Sequence, residues 1–259
     1  MGCGGNFLLN EKGIYELEYN ELQKISEIMW IKSEEEYKNT NFSILNWLNE
    51  NKDNIKEKLD KKERKILDKL IKKEIYKDIM KYRQLHSKLV ADLACKIYKE
   101  NFFEADECEN KLLYLASLLH DIKKMDKKHH REGKCFIKNN LCYAIKESGF
   151  EVSVDNKTMK KLGTIIEMHK VDKEPEWYYD KIEKMKKRKL THQVFCIRIA
   201  DKLSKLEYQS FYTRVTNDDF IRLKEKINNI TNDLIEIDES LGNKKNEILN
   251  NFYNEKGIK

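Results

Sequence analysis

The chain has 259 residues, 51 Lys and Arg against 45 Asp and Glu, a net charge of +6 and a single proline. That length can bury a substantial core, so one main domain with appended helices is favoured over two equal domains. No apolar run approaches about eighteen residues and no signal-peptide stretch is present, so a cytoplasmic protein with no membrane partner is expected.

The cations are mostly Lys interspersed with Glu and Asn, the pattern of a solvated surface. A nucleic-acid interface would cluster them and interleave aromatics, so no nucleic-acid partner is expected. The run KIEKMKKRK at residues 181–189 comes nearest and is read as an exposed basic helix. Six cysteines, at positions 3, 95, 108, 135, 142 and 196, follow no regular framework and read as reduced thiols. The opening MGCGGN has no Ser or Thr at position 6 for myristoylation and no hydrophobic signal before Cys3.

Residues 1–13 read as a flexible start. From Gly13 to Gly133 there is neither Gly nor Pro, and apolar residues recur at three-and-four spacing, which predicts an all-α fold. Residues 14–31 form an amphipathic helix through Leu17, Leu22, Ile25 and Met29. Residues 42–48, with Trp47, are a second packing element, and residues 55–70 a further amphipathic helix. Trp30 and Trp47 are taken as core anchors, and residues 1–72 together as an accessory helical layer. The EPEWYY segment at 174–179, with the lone Pro175, is the clear break between helices, read as a long connection with ordinary packing. His192 is expected to cap a helix or face solvent. Residues 218–237 and 240–253 predict two last amphipathic helices, a C-terminal extension over 211–259 that covers the main domain or mediates homodimerisation.

Within the central helices, imidazoles and carboxylates occupy positions where leucines would be expected. His86 has Ile79 and Tyr82 behind it and Leu89, Val90 and Leu93 ahead; His120 follows Leu113 and Ala116; His169 follows Leu162, Ile165 and Ile166; Asp201 follows Val194 and Ile197. Of the adjacent pair His129 and His130, the latter leads into Gly133, Ile137 and Leu141 and is assigned inward, with His129 as the fallback. A lone inward histidine is usually a hydrogen-bonded core residue. Several together with carboxylates must satisfy one another or a cation, because unpaired buried charge costs several kcal/mol. Nitrogen and carboxylate donors suit iron or manganese, with zinc, nickel and cobalt as alternatives, and no clustered Cys set points to structural zinc or iron–sulfur.

The strings RQLHSKLVADLA, LLHDIKK, HHREGKCFIKNNL, IIEMHK and IRIADKLSKL, in that order, resemble the HD-domain metal-dependent phosphohydrolase superfamily over about residues 75–210. The resemblance implies an all-α HD-domain helical bundle, with a catalytic domain over 73–210, and two divalent metals. By it His86, His120 and Asp201 hold one ion, His130 and His169 the other, and Asp121 bridges them. Asp121 and Lys124 carry the catalysis, metal-activated hydroxide being the nucleophile and Lys124 neutralising phosphoryl charge. The substrate implied is a small-molecule phosphoester or phosphoanhydride, foremost a nucleotide. Lys123 stands where many relatives have Gly, and only eight residues separate Asp121 from His130. The Gly-Tyr-Pro segment of cyclic di-GMP members is missing, which disfavours that substrate. Two other readings are a di-iron oxygenase of the same fold and a non-catalytic nucleotide-binding module.

Overall fold

A computed structural model describes residues 12–50, 73–102, 106–124, 126, 128–171, 175–210 and 215–257; side chains are described for these except 12, 38–50, 73–81, 175–177 and 208–210. The expected helix at 55–70 and the flexible start up to residue 11 lie outside the described residues, as does the side chain of Trp47.

The fold is all-α, with nine α-helices among the described residues: α1 (Tyr19–Glu50), α2 (Lys73–Asn101), α3 (Glu107–Leu119), α4 (His129–Glu147), α5 (Asn156–Met168), α6 (Pro175–Lys187), α7 (Thr191–Ser210), α8 (Asn217–Ile235) and α9 (Ser240–Glu255). A two-residue parallel pairing, Lys12 with Val152 and Gly13 with Ser153, is the one sheet contact among them. Residues 14–31 are not one helix as expected: a single 3-10 turn (Ile14–Glu16) precedes α1, which then runs unbroken through residues 42–48.

The centre of the bundle is α2 packed on α3 and α7, with α4 paired to α5, α3 to α5, and α8 against α7. Val90, Ala91, Ala94, Leu113, Ala116, Val194, Ile197 and Ala200 are fully buried there. Small residues let these helix axes approach closely, and the apolar stripes close over one another.

Helix α1 lies on α3 and α4 and buries Leu22, Ile25, Met29 and Trp30. Its polar groups reach the end of α3, where carbonyls lack helical partners. Trp30 Nε1 donates to the Leu118 carbonyl (3.0 Å) and Ser33 Oγ to the Ile122 carbonyl (2.7 Å).

The expected connection at 174–179 is instead largely helical. Pro175 opens α6, a position where its missing N–H costs nothing. Tyr178 is consequently a buried helical residue whose hydroxyl meets Asp233 and Arg198. The His192 side chain keeps 43% of its surface exposed, as expected, while its ring stacks on Phe102 at 4.3 Å and bonds Asp238 at 3.1 Å. The two C-terminal helices follow the expected pattern closely, and the five described cysteines are free thiols. No helix among the described residues is long and apolar enough to cross a membrane.

Candidate metal centre

Five elements converge on one buried cluster. His86 lies mid-way along α2 and Asp201 along α7; His120 and His169 are the residues that end α3 and α5; Asp121 follows in the turn after α3; His129 opens α4. All six are buried.

The two histidines at helix ends use the same device. His120 Nδ1 lies 2.7 Å from the Ser117 carbonyl and His169 Nδ1 2.6 Å from the Ile166 carbonyl, each three residues back. A carbonyl can only accept, so each Nδ1 carries the proton and each Nε2 presents a lone pair to the cluster. His86 is set the same way through Ser204. The Ser204 hydroxyl donates to the Asp201 carbonyl at 3.1 Å, so its oxygen accepts from His86 Nδ1 at 3.3 Å.

These lone pairs face carboxylate oxygens. Asp121 Oδ2 lies 3.7 Å from His120 Nε2 and 4.0 Å from His86 Nε2, while Asp121 Oδ1 lies 3.6 Å from both His129 Nε2 and His169 Nε2. Asp201 Oδ1 completes the first group, 3.1 Å from His86 Nε2 and 3.9 Å from His120 Nε2. Most of these separations are too long for hydrogen bonds. They suit two donors each about 2.1 Å from a shared ion. His120 Nε2 and His129 Nε2 are buried with no hydrogen-bond partner, which is the residue of an acceptor meeting an acceptor. The donors thus form two metal-competent groups, His86, His120 and Asp121 on one side and Asp121, His129 and His169 on the other. The donor set fits divalent ions, with one Asp121 oxygen turned to each group.

The electrostatics agree at three of the four histidines. Burial lowers His86, and it is the main reason His129 is held at about 3 and His169 at about 4. Burial would raise Asp121, yet His120, His169 and Lys124 hold it well below the carboxylate range; His120 and His86 do the same for Asp201. At His120 burial works downward, but Asp121 and Asp201 outweigh it and the pKa is raised. Neutral imidazoles at His86, His129 and His169 beside ionised carboxylates are the protonation states that a divalent ion requires, whereas at His120 an ion has to displace the proton that the two aspartates favour.

The sequence-derived set maps onto this cluster except at one position. His86, His120, Asp121, His169 and Asp201 come together, and Lys124 Nζ donates to Asp121 Oδ1 at 2.9 Å. His130 is buried as expected, but its ring packs edge-on against that of His129 and it belongs to neither donor group; His129 takes the place assigned to it. Both rings are buried at the helix start, so inward-facing periodicity could not separate them. The structure adds two residues to the expected set, Ser204, three residues after Asp201, and Arg83, whose Nη1 lies 3.4 Å from Asp121 Oδ2. Arg83 stands three residues before His86, a spacing that places both on one helix face.

A separate cavity of about 540 Å³ lies at the far end of α7, lined by Tyr98, Phe102, His192 and Gln193. It contains none of the clustered donors.

A bundle whose helices bring a His-Asp pair, three further histidines and a late aspartate around one buried point is the architecture of an HD domain. The family model described as HD domain matches residues 83–206, a span that includes every donor named above, and this stretch of the chain is an HD domain of that family. Its members are mostly hydrolases and bind divalent metals. No curated protein and no solved structure matches the chain.

Proposed function

We propose that this protein is a metal-dependent phosphohydrolase that cleaves a phosphoester or phosphoanhydride of a nucleotide or related small molecule. Residues 73–210 are the catalytic domain, with accessory helices before and after it. The observation that carries this reading is Asp121, whose two oxygens each face a separate group of histidine lone pairs.

His86, His120 and Asp201 would hold one ion and His129 and His169 the other, with Asp121 shared. Iron or manganese best suits this nitrogen and carboxylate set. When bound, such ions supply Lewis acidity, lowering the pKa of water and drawing charge off phosphoryl oxygens. The chain supplies the rest. Ser117, Ile166 and Ser204 fix the imidazole tautomers and ring orientations, a restraint worth about 10–100-fold in metal affinity at comparable sites. Lys124, one helical turn beyond Asp121, is placed to neutralise charge gathering on the phosphoryl group. Hydrolysis forms a bond from water oxygen to phosphorus and breaks the bond to the leaving oxygen, which takes up a proton. The free thiols at Cys95, Cys108, Cys135, Cys142 and Cys196 support a reducing, cytoplasmic setting.

The deciding experiment incubates protein loaded separately with manganese and iron with nucleoside mono-, di- and triphosphates, dinucleoside polyphosphates and cyclic nucleotides. Products are identified by mass spectrometry, with Asp121→Ala as control. Hydrolysis that disappears in the control supports the proposal. Absence of turnover with either metal would sink it.

A further inference from the structure

The rim of the metal centre carries more positive charge than its two aspartates can balance. Arg83 on α2 and Lys124 after α3 both approach Asp121, at 3.4 and 2.9 Å. On α7, Lys202 pairs with the neighbouring Asp201, and Lys205 stands one turn further along the same face. Four cations therefore surround two carboxylates.

The carboxylates are buried, whereas the cations emerge: the side chains of Arg83, Lys124 and Lys202 are 28%, 31% and 23% exposed, and Lys205 is exposed. Lys205 forms no ion pair of its own among the described residues. Arg83 is also under-satisfied, its buried Nε having no acceptor. Cations bound between the histidines and carboxylates would compete with Arg83 and Lys124 for the same Asp121 oxygens and add to the positive excess. One phosphoryl group is too small to meet all four side chains, since Lys205 lies about 6 Å further along α7 than Asp201 by helical rise.

We propose that this rim binds an oligophosphate, an anion of three or more linked phosphates, with Arg83 and Lys124 beside the phosphate at the metal centre and Lys202 and Lys205 holding the outer ones. The inference rests on the hydrolase reading and narrows its substrate to polyphosphorylated molecules. Such a chain can be inorganic or the tail of a nucleotide; the ligand chemistry is the same.

The test is a calorimetric comparison of orthophosphate, pyrophosphate, tripolyphosphate and a nucleoside triphosphate binding to the manganese-loaded full chain. Metal content is measured before and after each titration, so that stripping of the ion is not scored as binding. Affinity should rise about ten-fold with each added phosphate at low salt, the scale of one new charge-assisted contact. Lys205→Gln and Lys202→Gln should each reduce the preference for tripolyphosphate over orthophosphate severalfold. Circular dichroism of both variants checks that they fold. A nucleoside triphosphate binding as tightly as tripolyphosphate supports recognition of the chain alone, and tighter binding supports a nucleotide tail. Equal affinity for orthophosphate and tripolyphosphate would overturn the inference, as would variants that lose both ligands in parallel. Turnover of a phosphomonoester without chain-length preference would overturn it while leaving the hydrolase intact. Length-dependent binding without turnover of any phosphate would do the reverse.

Discussion

Asp121 is fully buried yet ionised, and each of its oxygens is aimed at different histidines. A side chain in that position is tolerable only if cations share it. The adjacent His129 and His130 provide the sharpest test of which groups share it. His129→Ala should reduce bound metal by one ion per chain, read by elemental mass spectrometry after dialysis, whereas His130→Ala should leave both ions in place. The opposite pattern would show that the second group is built differently. A milder residue-scale effect concerns Asp155, which caps α5 by accepting the Thr158 N–H at 2.7 Å. That bond is the main reason its carboxyl is held below the ordinary range. A folded-state pKa below the unfolded one stabilises the fold above the unfolded pKa of about 3.9 and loses that contribution as pH falls through the folded value. Asp155→Ala should therefore cost about 1 kcal/mol at pH 7. In thermal melts the gap from the parent should shrink as pH is taken below the carboxylate range.

At the scale of elements, the His120-Asp121 turn is held from outside the matched HD span. Helix α1 donates to the carbonyls of Leu118 and Ile122, on either side of the pair, and Tyr37 bonds Asp126 further along at 2.6 Å. Helix α1 thus reaches the candidate metal centre through hydrogen bonds that α3 cannot make for itself once it ends at Leu119. Removing Ser33 Oγ leaves a buried carbonyl without its donor, a loss of about 1–3 kcal/mol. Ser33→Ala should lower the melting temperature of metal-free protein by several degrees and weaken metal binding as well, followed by metal titration. Unchanged metal affinity alongside the lower melting temperature would mean that α1 stabilises the bundle without positioning the turn.

At the scale of the whole molecule, Arg198 joins helices that the metal cluster does not. It is fully buried on α7; Nε donates to the Met168 carbonyl, Nη1 to Asp233 and the Ile230 carbonyl, and Nη2 to the Tyr178 hydroxyl. One guanidinium therefore links α5, α6 and α8 to α7, directly before His169. Replacing it with Met leaves the Met168 and Ile230 carbonyls without this donor and Asp233 with the Tyr178 hydroxyl but no cation, a cost of about 3–5 kcal/mol. Urea unfolding of Arg198→Met should show that loss, and Arg198→Lys should recover little of it because an ammonium cannot reproduce the planar fork. A loss under about 1 kcal/mol would mean water replaces the guanidinium.

Much of this was legible in the chain. Helical periodicity and the scarcity of Gly and Pro dictated an all-α fold, because local spacing decides which side chains share a face. Donor-type residues on apolar stripes marked His86, His120, His169 and Asp201 as interior, since burial is a property each stripe records. Other features depended on contacts remote in sequence. His129 and His130 are equally buried, and only the distance to Asp121 across the turn distinguishes them. The roles of Trp30, Ser33, Arg83 and Arg198 follow from partners 20 to 89 residues away, where hydrogen-bond direction and reach, rather than periodicity, determine what a side chain does.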